Sequence, residues 1–77
     1  MTEQEKQSLS KSFNIPTDDI LWYNGGICYD RIGVKTEDSA KKVSKSVKGR
    51  YVNGGMYDGM PLGSCSPSND GTYDIMC

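Results

Sequence analysis

Residues 36–49 read Thr-Glu-Asp-Ser-Ala-Lys-Lys-Val-Ser-Lys-Ser-Val-Lys-Gly, and this stretch decides the fold prediction because it carries the strongest helix signal in the chain. The Thr36 hydroxyl can cap free N–H groups of a first turn, and the two acidic residues after it favour the positive end of the helix dipole. Ala40, Val43 and Val47 recur at spacings of three and four. The segment therefore predicts an amphipathic helix, which the final glycine ends.

The flanking sequence predicts a second helix and several short strands. Thr2-Glu3-Gln4-Glu5 has the form of a capping box, so a helix is expected from about residue 3 to residue 13. Apolar runs between turn signals predict strands at 20–23, 27–29, 32–35, 50–52, 62–66 and 72–76, with a primed turn at 24–26 and a hairpin turn at 67–71. The prediction is one small α+β domain over residues 1–77, with two short helices and short antiparallel strands and hairpins in the order α-β-β-β-α-β-β-β.

The composition predicts a thin hydrophobic core. Of 77 residues, only 13 are Leu, Ile, Val or Phe. A chain of this length buries only about 60% of the surface that its unfolded form exposes. We therefore expect a homo-oligomer, a dimer or a tetramer, because association would supply the apolar burial that a single chain lacks.

The chain contains no histidine, which removes the commonest general base and the commonest zinc ligand. Cys28, Cys65 and Cys77 are odd in number and lack Cys-x-x-Cys spacing, so neither a disulfide framework nor a zinc knuckle is predicted. The aspartates show no Asp-x-Asp spacing that favours magnesium. We expect a protein that is not an enzyme, with reduced thiols, no metal and no cofactor.

Charge and hydropathy indicate the compartment and exclude some partners. Residues 31–50 carry a local net charge of +5, while the remainder carries −6, a balance that argues against a partner such as bulk nucleic acid. The first residues are too polar for a signal peptide, and no apolar run approaches the ~20 residues that span a membrane. A soluble, cytoplasmic protein without membrane contact is expected.

Asn-Gly-Gly occurs twice, at 24–26 and 53–55, and each copy is followed within a few residues by Tyr-Asp. The second copy lies in the glycine-rich segment 53–63, where consecutive glycines can turn their N–H groups toward an anion. Tyrosine rings in the same region can stack on bases. The predicted ligand-binding residues are Arg50, Asn53, Gly54, Gly55 and Tyr57. A wide surface loop without a ligand is the alternative interpretation of the segment.

Two further basic features are weaker candidates. Lys35 and Thr36 lie at a strand-to-helix junction, where a phosphate can bind the helix start, although the acidic residues that follow would compete with it. The helix lysines, Lys41, Lys42, Lys45 and Lys48, are expected to form a solvated face.

Residues 30–77 resemble a widespread group of short phage-encoded proteins. The likeness lies in Val-Lys-Thr before a lysine-rich helix, the segment from Val52 to Gly63 and the closing Tyr73-Asp74-Ile75-Met76-Cys77. The chain is similar to viral anti-CBASS sponges, which assemble as homo-oligomers and sequester cyclic dinucleotides such as 3′3′-cyclic GMP-AMP. The resemblance implies binding without cleavage, with the protein lowering the free concentration of a host alarm nucleotide.

Two other functions remain open from the sequence. A small inhibitor that binds a host defence complex, of the CRISPR type or another, would have a similar length and charge segregation. An enzyme that degrades the nucleotide is disfavoured by the absence of histidine and of a metal constellation. A concave site in which an aromatic ring faces a glycine-lined loop would favour a sponge, whereas a flat exposed patch would favour a protein inhibitor.

Overall fold

The computed structural model describes residues 2–68 and 70–77 and confirms the α+β class. It contains two helices and a four-stranded antiparallel sheet, with a 3-10 turn at Thr17–Asp19 between the first helix and the first strand. The elements in chain order are α1 (Glu3–Phe13), β1 (Ile20–Asn24), β2 (Arg31–Val34), α2 (Glu37–Val47), β3 (Cys65–Pro67) and β4 (Tyr73–Met76). No described helix has the length and the apolar character needed to cross a membrane.

Both helices begin at the hydroxyl caps that the sequence predicts. The Thr2 side chain accepts a hydrogen bond from the Glu5 N–H, and the Thr36 side chain accepts one from the Ser39 N–H. These bonds satisfy N–H groups that have no partner inside the helix. Helix α1 ends at Asn14, which adopts the left-handed conformation.

The sheet has the strand order β1-β2-β4-β3, and every pair is antiparallel. Ile32 pairs with Ile75, and Val34 with Tyr73, so that these side chains point to the same face. Helices α1 and α2 cover that face. The buried core consists of Ile15, Ile20, Ile32, Val34, Ala40, Val43 and Ile75, with Leu9, Phe13, Tyr23, Tyr73 and Cys77 packed against it.

The opposite face of the sheet carries an indole and an ion pair. A Cβ atom at Gly33 would overlap Nε1 of Trp22, so the ring occupies the place where a side chain would stand. Arg31 on β2 forms a bidentate pair with Asp74 on β4. Glycine at position 33 is therefore required by the close approach of the indole.

The structure corrects two predicted strands. Residues 27–29 belong to a loop, and the partner of β1 is β2. Residues 50–52 form only an isolated bridge between Tyr51 and Pro61. The physical reason is burial. Ile32 and Val34 are completely buried where β2 pairs with β1 and β4, whereas Ile27, in the predicted strand 27–29, is fully exposed.

The predicted primed turn at 24–26 is also wrong. All the glycines with positive φ in the described chain lie at other positions, namely Gly49, Gly54, Gly55, Gly59, Gly63 and Gly71. A primed turn needs positive φ at its central residues. The connection from β1 to β2 is instead a six-residue loop over 25–30.

Candidate functional site

The two repeated segments fold into loops that are closed in the same way. We call residues 24–30 the first glycine loop and residues 53–59 the second glycine loop. In the first, the Gly26 N–H donates to Oδ1 of Asp30 at 3.1 Å, and in the second the Gly54 N–H donates to Oδ1 of Asp58 at 2.6 Å. The shared pattern is Gly-x-x-Tyr-Asp, in which the aspartate binds the glycine four residues before it.

The two glycine loops contact each other. The rings of Tyr29 and Tyr57 meet edge to face, with their centroids 5.7 Å apart. Next to them, Gly55 has φ +75°, and a Cβ atom there would lie 2.8 Å from Sγ of Cys28. Both the backbone angle and the lack of space require glycine at position 55.

The first glycine loop is fastened to the sheet through Asp30. Its Oδ2 accepts a hydrogen bond of 2.5 Å from the Tyr23 hydroxyl. Its backbone exchanges two bonds with Cys77, of 2.9 and 2.8 Å. Burial and the bond to Asp30 raise the pKa of Tyr23, so this hydroxyl remains a donor across the physiological range.

The second glycine loop is held at its base by backbone hydrogen bonds. The Val52 N–H donates to the Met60 carbonyl at 2.8 Å, and the Gly59 N–H donates to the Val52 carbonyl at 2.9 Å. The Leu62 N–H donates to the Arg50 carbonyl at 3.0 Å. Because Val52 is buried, the loop is anchored to the protein at its base while its tip is exposed.

A cleft of about 400 Å³ lies between the two glycine loops. We call it the inter-loop cleft, and its lining consists of Asn24, Gly25, Gly26, Ile27, Cys28, Tyr29, Arg31, Met56 and Tyr57. The cleft volume falls within the range of about 300–1,000 Å³ that is usual for small-molecule sites. Its walls are mainly apolar and glycine-rich, with one guanidinium group at the edge.

Positive charge and backbone donors are available next to the inter-loop cleft. The Arg31 side chain remains half exposed although it pairs with Asp74. In the second glycine loop, the N–H groups of Gly55, Met56 and Tyr57 have no acceptor among the described residues. An anionic group that entered from this side would therefore meet donors whose hydrogen-bonding capacity is unused.

Among the predicted site residues, only Tyr57 lines the inter-loop cleft. The Gly54 N–H is already bonded to Asp58, Gly55 contacts the other loop, and the exposed Asn53 lies outside the lining. Arg50 is exposed and also outside the lining.

Arg50 lies within electrostatic reach of Cys77. Burial and the Asp30 carboxylate raise the pKa of the Cys77 thiol to about 11, and the positive charge of Arg50 opposes that rise. Because the Cys77 backbone bonds to Asp30, the guanidinium charge acts near the base of the first glycine loop.

Sequence reasoning missed the contribution of the first glycine loop. Tyr29 and Arg31 line the inter-loop cleft together with Tyr57, but the predicted site was confined to the second copy of the repeat. The equal spacing of Gly-x-x-Tyr-Asp in the two copies was the available signal, because similar local folds can present their tyrosines similarly.

The start of α2, the weaker phosphate candidate, is occupied by a carboxylate of the protein itself. Oδ2 of Asp19 accepts hydrogen bonds from the Ser39 hydroxyl at 2.6 Å and from the Thr36 hydroxyl at 2.9 Å. These bonds, that from Ser39 first, hold the pKa of Asp19 below its ordinary value. A phosphate at this helix start would face an ionised group that is already bound there.

Comparison with known proteins adds no family assignment. No protein-family model matches the chain, and comparisons with curated proteins and with solved structures likewise find no match. Over residues 2–68 and 70–77, no group of three or more His, Cys, Asp or Glu side chains is arranged to hold a metal ion.

Proposed function

We propose that the protein binds a cyclic dinucleotide, such as 3′3′-cyclic GMP-AMP, and sequesters it without cleaving it, in the manner of a phage anti-CBASS sponge. The observation that carries this proposal is the concave inter-loop cleft, in which Tyr29 and Tyr57 stand beside the glycines of the first loop. A purine can stack on a tyrosine face, and a glycine-lined wall lets a ligand approach the backbone closely.

The charges near the cleft support an anionic ligand. Arg31 lines it, and Arg50 lies near Cys77 at the base of the first glycine loop. Nε and Nη2 of Arg31 are bound to Asp74, so a phosphate would meet the N–H groups of Nη1, which have no acceptor among the described residues. The backbone N–H of Met56, a lining residue with no acceptor among the described residues, adds a neutral donor.

Homo-oligomerisation and a location in the host cytoplasm belong to the same proposal. The inter-loop cleft is open to water at two of its lining residues, Ile27 and Met56, whose exposed side chains form an apolar rim. A second copy that covers this apolar rim would enlarge the site and shield the bases from water.

Calorimetric titration tests the proposal most directly. The parent protein is titrated with 3′3′-cyclic GMP-AMP, with its linear dinucleotide counterpart and with GMP, and the nucleotide is then recovered and analysed by chromatography. We expect saturable binding of the cyclic ligand and its recovery unchanged. Absence of binding to every cyclic dinucleotide in a panel, or recovery of a cleaved product, would contradict the proposal.

The exposed rim also supports a second candidate function, direct inhibition of a host defence protein. Ile27 and Met56 are large apolar side chains on a surface where water contacts them almost entirely, and such side chains commonly anchor protein interfaces. If the parent binds no cyclic dinucleotide, and Ile27→Ser abolishes protection of a phage while the protein remains folded, the inhibitor is the better assignment.

A further inference from the structure

A second concave surface lies between α2 and the edge strand β3, away from the inter-loop cleft. It encloses about 530 Å³, which exceeds the volume of the inter-loop cleft. We call it the basic groove. Its lining includes three lysines, Lys41, Lys45 and Lys48, one carboxylate, that of Glu37, and Ala40, Cys65 and Tyr73. The two sites have no lining residue in common.

The lysines of the basic groove lie along α2 and at its C-terminal end. Lys41 and Lys45 are four residues apart and share a helix face, and Lys48 is the C-cap residue that follows the last helical residue, Val47. Lys42 lies on the same helix but outside the groove. The three groove lysines therefore form a line of positive charge on one side of the groove.

Two of these lysines have no carboxylate partner in the described chain. Nζ of Lys41 lies 3.4 Å from Oε1 of Glu37, whereas Lys45 and Lys48 form no such pair. The floor of the groove, between α2 and β3, is less polar than the lysine side, because it is formed by the buried Ala40 and the half-buried ring of Tyr73. A row of cations beside an aromatic and aliphatic floor is chemically suited to a ligand with anionic groups on a ring-containing body.

We propose that the basic groove is a second binding site, for a small molecule that carries two or more phosphate groups next to a planar ring. The phosphates lie along Lys45 and Lys48, and the ring lies over Ala40 and Tyr73. This site is additional to the proposed nucleotide sponge and does not depend on it.

Two other occupants fit the groove less well. A peptide that added a strand at β3 would need backbone donors along that edge, but the three-residue strand includes Pro67, which has no N–H. Duplex nucleic acid would be repelled by the residues outside 31–50, which together carry a net charge of −6. A compact polyanion avoids both conflicts.

The experiment uses ADP as the probe, adenosine as the uncharged comparison and tripolyphosphate as the ringless comparison, with binding followed by amide chemical shifts of the labelled protein. We expect ADP to shift amides of Ala40, Ser44 and Tyr73 and to bind more tightly than either comparison. Raising the salt from about 50 mM to about 500 mM weakens binding, because the phosphate contacts are exposed to screening.

A matched pair of variants separates the groove from net charge. Lys45→Gln and Lys42→Gln each remove one charge from the same helix, but only the first removes it from the groove. We expect Lys45→Gln to weaken ADP binding about two- to fivefold, as for an exposed ion pair, and Lys42→Gln to leave it nearly unchanged. Equal weakening by both variants, equal affinity for adenosine, or shifts confined to the tyrosines of the inter-loop cleft would overturn the proposal, as would the absence of any shift with ADP.

Discussion

Tyr29 and Tyr57 come from the two copies of Gly-x-x-Tyr-Asp and meet edge to face, with ring centroids 5.7 Å apart and an angle of 88° between the ring planes. The edge of one ring points at the face of the other, a geometry that aromatic pairs prefer to face-to-face stacking. The repeat in the sequence thus becomes a contact in the structure. Both rings line the inter-loop cleft.

Tyr57→Ala tests the role of this ring in ligand binding. If the ring stacks on a base, its removal costs about 1–3 kcal/mol of binding free energy, roughly five- to over a hundredfold in affinity. Tyr51→Ala is the control, because Tyr51 is exposed and lies outside the lining of the cleft. Calorimetry with 3′3′-cyclic GMP-AMP measures both variants. If the two variants bind the ligand equally well, the Tyr57 ring does not stack on a base of the ligand.

Gly55→Ala tests the contact between the loops, with Gly59→Ala as its control. Both glycines have similar φ angles, +75° and +85°, but only at position 55 would a Cβ atom meet Sγ of Cys28. Each variant is expected to lose about 1–2 kcal/mol of unfolding free energy from the backbone angle, and Gly55→Ala to lose more. Denaturant unfolding measures the difference.

A double variant identifies the cause of that additional loss. Adding Cys28→Ala to Gly55→Ala removes the sulfur that the new Cβ atom would contact, and it should recover the part of the loss that Gly59→Ala does not show. If the double variant is no more stable than Gly55→Ala, the steric explanation is wrong.

Acid should weaken the attachment between the 3-10 turn and α2. The pKa of Asp19 is below its ordinary value because the Ser39 and Thr36 hydroxyls bond to its ionised form. This contribution is complete above the pKa of the unfolded chain, about 4, and is lost as the pH falls through the lower folded value. The difference in unfolding free energy between the parent and Asp19→Asn should therefore shrink below about pH 4. The control is Asp18→Asn, which removes the adjacent, exposed carboxylate.

The three free cysteines should differ in their rates of alkylation. The pKa of the half-buried Cys77 thiol is raised to about 11, so only about one molecule in a thousand is ionised there at pH 8. Cys65 is exposed, and its pKa is raised mainly by desolvation. Mass spectrometry of protein treated with iodoacetamide should find Cys65 modified before Cys77. Modification of Cys77 before Cys65 would contradict this prediction.

Light scattering tests the association of chains. We expect a dimer or a tetramer at micromolar concentration, and we expect Ile27→Ser to weaken it because Ile27 is fully exposed on the rim of the cleft. Leu21→Ser is the comparison, since Leu21 lies on β1 and its exposed fraction is 42%. A stable parent monomer would contradict the expectation and would weaken the sponge proposal with it.

Local features of the chain could be predicted because neighbouring residues determine them. The helix bounds follow from caps only a few residues from the N–H groups that they bind, as at Thr36 and Ser39. The apolar residues of β2 and β4 likewise mark strands by composition alone. The glycines of the second loop were expected to allow unusual backbone angles, and Gly54 and Gly55 do have positive φ.

The amino-acid sequence thus predicts both helices, the central strands and two related glycine segments. The position of β2 between β1 and β4, the loop at 27–29 and the cleft shared by the two glycine segments become evident only in the folded chain. The physical reason is that these outcomes depend on contacts between distant residues. Arg31 and Asp74, for example, are 43 positions apart, and their pairing requires the register that burial of Ile32 and Ile75 selects.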